Sequence, residues 1–157
     1  MFKQFLATND NDFSTFIIRV TLGAVIFPHG AQKLFGWFGG AGFSGTMEFF
    51  TTSLGVPAAV AFLVIMAESI GAVGLIIGFL TRFMALSIGI VMIGAIFMVH
   101  LQYGFFIDWQ GNQEGHGIEF HLLTIGMATA LIIKGGGWAS TDGLLAEPKG
   151  RGRAKYW

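Results

Sequence analysis

Cysteine is absent from the 157-residue chain, and charge is scarce. Without cysteine there are no disulfides, no thiolate metal sites, no cysteine-ligated iron–sulfur clusters and no thiol redox chemistry within the chain. Electron transfer would have to use a diffusible cofactor, a histidine-held metal or a partner. Asp, Glu, Lys and Arg together make up 11% of the residues, against about 25% in an ordinary soluble domain. So few charges do not cover a surface that faces water. The charges balance to zero, so nothing in the composition suggests nucleic acid as a partner. The N-terminus is not expected to be a signal peptide either. Only Lys3 precedes the first apolar stretch, Asp10 and Asp12 intervene, and the stretch outruns an ordinary h-region, so it is expected to be a retained helix.

What the chain has instead is hydrocarbon and glycine. Hydrophobic residues make up 54%, with 17 Phe and 24 Gly. Glycine suits helices whose backbones approach closely in lipid. Four apolar segments stand out: Phe13–Phe38, Pro57–Leu80, Phe83–Leu101 and Ile118–Ile133. A spanning helix needs roughly 20 apolar residues, with about 17 as a lower bound. The first three qualify and the last falls at the limit, where a tilted or broken helix is expected. The predicted fold is all-α: an integral membrane four-helix bundle over residues 1–145, followed by a basic tail at 146–157. Gly74 and Gly78 form a small-xxx-small pair, with Gly71 on the same side, and Gly23 and Gly30 share a face of the first span. These predict helix contacts. In the first connecting loop, Phe43, Met47 and Phe50 recur at helical spacing. They predict either a short helix in the membrane interface or a loop packed over the bundle.

Lys and Arg set the expected orientation. Arg82 lies in the short turn between spans two and three, Lys134 closes span four, and Lys149, Arg151, Arg153 and Lys155 crowd the tail. The loops at 39–56 and 102–117 contain neither residue. The excess of cytoplasmic Lys and Arg in membrane proteins then puts both termini in the cytoplasm, in the plasma (cell inner) membrane. The basic tail would rest on anionic lipid.

Ionisable residues inside the hydrocarbon region cost several kcal/mol and point to function. They are Arg19, His29, Lys33, Glu68, His100, Glu119 and His121. At 1.5 Å per residue, Arg19 lies about 9 Å from the cytoplasmic end of its span and Glu68 about 16 Å from the outer end of its own. His29, His100, Glu119 and His121 fall in the outer half. Two readings follow. In one, Arg19 and Glu68 form a buried ion pair that fixes helix register. In the other, His and Glu line a polar cavity open to the outer side, where they bind a ligand and move protons. A metal ion held by His29, His100 and His121, or a haem held by a pair of them, is a third, although the three share no local motif. Glu119 and His121 diverge by about 160° on a regular helix, whereas His116 and Glu119 share a face. Pro28 removes a helical hydrogen bond beside His29, which predicts a kink and a freed carbonyl.

Several of these residues, in order, resemble the DoxX family of small four-helix membrane proteins. The marks are Arg19-xxx-Gly23, then His29-Gly30-xx-Lys33-Leu34-Phe35, Glu68-xx-Gly71, Gly78-Phe79-Leu80-Thr81-Arg82, and the ending Gly136-Gly137-Trp138-Ala139-Ser140-Thr141-Asp142. The insert at 107–117 and the basic tail have no counterpart in this pattern. The resemblance implies the four-helix fold and an oxidoreductase. Related proteins are subunits of an archaeal thiosulfate:quinone oxidoreductase, and a bacterial member belongs to a membrane complex with a superoxide dismutase and a sulfurtransferase-like protein. The resemblance therefore implies quinone as cofactor, with a protein partner bringing electrons. Glu68 and His29 would handle protons, Arg19 would tune Glu68, and Lys33, His100 and His121 would line the mouth. Two other functions remain open: a non-catalytic anchor or assembly subunit, and a small channel or transporter, which with four spans would need a homo-oligomer.

Overall fold

The computed structural model describes residues 5–146; the basic tail, apart from Ala146, lies outside them. Helices are the only regular structure among the described residues. The elements in order are α1 (Phe13–Phe35), α2 (Gly42–Glu48), α3 (Ala58–Ile77), α4 (Thr81–Ala95), α5 (Glu119–Lys134) and α6 (Thr141–Ala146). Three helices are long and apolar enough to cross a membrane: α1, α3, and α4 with its continuation to Tyr103. α5 is shorter, with 16 residues, in line with the weak fourth apolar segment.

Helix ends follow from local chemistry. Asp12 caps α1, its Oδ1 accepting from the Thr15 N–H at 3.0 Å. α1 ends at Phe35, short of the Phe38 limit expected from hydropathy, because Gly36 turns left-handed (φ 74°) and its N–H closes on the Ala31 carbonyl. Pro28 does not interrupt α1, which runs through it as one helix. α3 ends in a Schellman motif: Gly78 (φ 71°) donates to Leu75 at 3.1 Å and Phe79 donates to Gly74 at 2.9 Å. α4 starts at once. The Leu80 and Thr81 N–H groups donate to the Asp142 carboxylate at 2.7 and 2.8 Å, so the Ser-x-Asp ending supplies a cap from far along the chain.

α1 packs along α3 and α4 along α5, and further contacts between α3 and α4 and between α1 and α5 close a ring of four helices. The buried face of α1 carries Thr15, Arg19, Leu22, Gly23, Ile26 and Gly30, the spacing of one helical stripe. A core of Leu22, Ile26, Leu75, Ile88, Met92 and Leu131 draws on all four helices. Outward faces stay apolar, as at Leu63, Ile90, Leu123 and Ile133. That is the pattern of helices solvated by lipid, and the chain is a membrane protein.

Glycine sets the α1–α3 register. A Cβ on Gly30 would lie 2.5 Å from the Glu68 carbonyl oxygen, and one on Gly23 would lie 2.9 Å from that of Ala72. Gly30 is thus level with Glu68, and the Ser69 hydroxyl donates to the Gly30 carbonyl at 3.1 Å. The end of the helix ring bearing α2 and the 104–118 segment is termed the loop end. The other, with the Gly78–Leu80 turn and α6, is the turn end.

At the loop end, two segments widen into π-type turns: Phe49–Ser53 after α2 and Ile96–His100 after α4. Each inserts an i→i+5 bond, Leu54 N–H to Phe49 and Leu101 N–H to Ile96. Such turns re-aim neighbouring side chains and recur at functional sites. The 43/47/50 pattern is therefore helical, and it also folds over the ring, with Phe43 edge-on to Phe62 of α3.

Candidate functional site

Between the loop-end halves of the helices lies a cavity of about 770 Å³. Its walls are mainly apolar, from Ile26, Val64, Ile90, Met92 and Phe120, and Phe49 and Phe50 cover it from the α2 side. Its polar lining includes all four histidines of the chain, His29, His100, His116 and His121, together with Gln32, Lys33 and Glu68. Of the residues singled out from sequence, His29, Lys33, Glu68, His100 and His121 therefore meet at one place.

Glu68 is not paired with Arg19. Its Oε2 lies 2.5 Å from Lys33 Nζ, with the Glu68 side chain 5% exposed and that of Lys33 25%. The register explains this. Gly30 is level with Glu68, Lys33 sits one turn further along α1, and Arg19 lies eleven residues the other way. At 1.5 Å per residue, that is about 16 Å from Glu68's level. Arg19 is instead fully buried at the turn end and gives its donors to carbonyls. Nε donates to Gly136 (2.8 Å), Nη1 to Leu75 and Ile76 (both 2.7 Å), and Nη2 to Trp138 and Ala139 (both 3.2 Å). It satisfies the Ile76 carbonyl, adds a second donor to that of Leu75 at the end of α3, and ties the 136–139 turn to α1. Arg82 repeats the device at the end of α5. Its Nε donates to Ile132 at 3.0 Å and Nη2 to Ile133 at 3.1 Å, while Nη1 reaches Phe5 and Ala7. The expected ion pair between Arg19 and Glu68, and with it Arg19 as the group that tunes Glu68, is thus replaced by Lys33.

The histidines are held by ring contacts and by the 104–118 segment. The His100 and His121 ring centroids are 4.1 Å apart, and His29 lies 5.9 Å from Phe120. His100 Nδ1 is 2.8 Å from the His116 carbonyl oxygen. A carbonyl only accepts, so His100 Nδ1 carries a proton, and in the neutral ring Nε2 is left as an acceptor. His116 is the converse: its Nδ1 accepts from the Asp108 N–H at 3.2 Å. The segment is pinned at its base by Ile118 N–H to Gly104 and Glu119 N–H to Phe105, at 3.1 and 2.9 Å. Glu119 Oε2 accepts from the Ile107 N–H at 3.1 Å, so Glu119 braces the segment and does not line the cavity. Asp108 accepts from the Gln113 and Asn112 N–H groups, and these donors hold its carboxyl below the usual range. His121 Nδ1 is buried with no hydrogen-bond partner among the described residues.

Among the described residues, no three His, Asp or Glu side chains come together as a metal-binding group. The three-histidine set His29, His100 and His121 thus shares the cavity without the convergence of a coordination shell. Gln32 was not singled out from sequence, and His116 was considered there only with Glu119, not as part of the pocket. The signal for His116 was present, since every histidine of the chain falls near the ends of segments that meet at this end of the fold. What was missing was the return of the 104–118 segment over His100.

The family model described as DoxX matches residues 14–101, more than half of the chain. A Bacillus subtilis (strain 168) protein named "Putative oxidoreductase CatD" is 29% identical over 141 residues, covering 90% of this chain and 93% of that protein. No solved structure is significantly similar. The family model takes in Arg19, the Gly23 and Gly30 contacts, and the Lys33–Glu68 pair. By that match, the chain belongs to the DoxX family.

Proposed function

We propose that the chain is the membrane subunit of an oxidoreductase and that its loop-end cavity binds a quinone. In this reading the ring is a four-helix bundle with both termini in the cytoplasm and the cavity in the outer half of the bilayer. The carrying observation is the gathering of all four histidines and the Lys33–Glu68 pair within apolar walls. A volume of about 770 Å³ suits a small organic molecule, since ligand pockets run about 300–1,000 Å³ with a few polar groups that fix orientation. The oxidoreductase name of the Bacillus relative points the same way.

The chemistry fits these side chains. Reducing a quinone to a quinol takes two electrons and two protons, and each carbonyl oxygen ends as a hydroxyl. Histidine donates or accepts near neutral pH. His121 Nδ1 would donate to one quinone oxygen, and His100 Nε2, an acceptor in the neutral ring, would accept from the hydroxyl that this oxygen becomes on reduction, while the Lys33–Glu68 pair and His29 would serve the other. Electrons would come from a protein partner or a diffusible carrier. Arg19, occupied by five carbonyls, would hold the scaffold.

The test is titration of the purified protein with quinone analogues. Saturable binding is expected, weakened by about tenfold or more in His29→Ala and Glu68→Gln. Absence of saturable binding would remove the reading. Activity residing wholly in a co-purifying partner, with both variants merely unstable, would make the chain an anchor subunit instead.

A further inference from the structure

The cavity walls differ in how well they are sealed. α1 meets α3 backbone to backbone at Gly30. α4 meets α5 where a Cβ on Gly89 would lie 3.7 Å from the Ala128 Cβ, and again at the His100–His121 ring contact. α1 meets α5 through His29 and Phe120. The α3–α4 seam is different. Near the turn end it is tight, a Cβ on Gly74 falling 2.8 Å from Met84 and one on Gly71 falling 3.6 Å from Ile88. Beyond Glu68 the facing residues, Val60 and Val64 on α3 and Val91, Gly94 and Met98 on the other side, line the cavity. Val60, Ile90 and Met98 line it while staying 47%, 60% and 50% exposed. A Cβ on Gly94 would meet nothing within 4 Å.

We infer that the cavity opens sideways through the α3–α4 seam at Val60, Ile90, Gly94 and Met98, and that its ligand is a quinone with a long hydrocarbon tail that lies in this seam. The inference rests on the quinone reading and adds the route and the tail. The seam is bordered by apolar side chains along helices that cross the hydrocarbon layer, so it faces lipid. Polar headgroups find no partner in such an opening, whereas an alkyl or isoprenoid chain loses nothing by moving from lipid into it. The head finds its partners deeper. His121 is 6% exposed, lines the cavity, and keeps a buried Nδ1 without a hydrogen-bond partner among the described residues. A buried polar atom of this kind calls for a hydrogen-bonding guest.

The test compares a decyl-tailed quinone with its tail-less headgroup on the full chain in lipid nanodiscs. Binding of the tailed form is expressed per mole fraction in the lipid, so that partitioning cancels. The wild type is expected to favour the tailed form by about tenfold or more. Gly94→Phe fills the seam and should abolish that preference, leaving headgroup binding within about twofold. Val60→Phe is the second variant from the opposite wall. Gly126→Phe, at another glycine whose Cβ would meet nothing and which does not line the cavity, should change neither ligand. Equal binding of both quinones, or unchanged tail preference in both seam variants, would overturn the lateral route and leave the quinone site standing. No binding of either quinone would overturn the quinone reading itself. A phospholipid chain held in the seam and displaced by no quinone would overturn the tail assignment.

Discussion

Arg19 is the residue whose role the structure changes most, and its substitution gives a sharp test. Replacing it with Met keeps length and removes five donated hydrogen bonds. The Leu75 carbonyl keeps the Gly78 N–H at 3.1 Å, while those of Ile76, Gly136, Trp138 and Ala139 lose the guanidinium. A buried polar group left unsatisfied costs about 1–3 kcal/mol. With some water admitted to the site, Arg19→Met should cost about 4–6 kcal/mol, comparable to the whole stability of many domains. Arg19→Lys keeps the charge but not the planar fork, and should lose about half as much. The assay is unfolding in detergent, followed by circular dichroism and by the monodisperse fraction after heating. A double variant decides between structures. If Arg19 balanced Glu68, Glu68→Gln would rescue Arg19→Met. Here the two sites share no partner, so their effects should add within about 0.5 kcal/mol. Rescue, or a cost for Arg19→Met below about 1 kcal/mol, would refute the carbonyl-staple account.

Lys33→Met should cost about 3–5 kcal/mol by leaving Glu68 buried without its cation, and Lys33→Met with Glu68→Met should recover much of that loss in a double-mutant cycle. Gly30→Ala should cost about 1–3 kcal/mol through overpacking, because its Cβ would fall 2.5 Å from the Glu68 carbonyl oxygen; the same variant should weaken the Lys33–Glu68 coupling in that cycle. Asp12 sits at about 2 instead of 3.8, first because Lys134 Nζ donates to it at 2.8 Å and then because the Thr15 N–H does. A lowered folded-state value means the contribution is complete above pH 4 and fades as pH falls towards 2, so Asp12→Asn should flatten the acid limb of a stability-against-pH profile over that window.

The helices and their membrane character were legible in the sequence because they depend on local quantities. Runs of Phe, Ile, Leu and Val at that density fix where helices form, whereas their stops at the left-handed Gly36 and Gly78 came before the ends of the apolar segments at Phe38 and Leu80. The same is true of the residue types at the site. A histidine or glutamate in an apolar segment is costly wherever it lies, so the list containing His29, Lys33, Glu68, His100 and His121 followed from composition alone. Partnership did not. It depends on how far α1 slides along α3, and that sliding is set by two backbone contacts, Gly23 on Ala72 and Gly30 on Glu68, which no hydropathy pattern encodes. The slide carried Lys33 to Glu68 and left Arg19 at the other end among the carbonyls of Leu75 and Gly136. The 104–118 segment was legible as polar and unlike its surroundings, but not as the strap that brings the His116 carbonyl to His100. Sequence thus determined which groups lipid would force into the protein interior, because that cost is local. Only the tertiary structure decided which of them meet, because the register of two helices is a property of their contact.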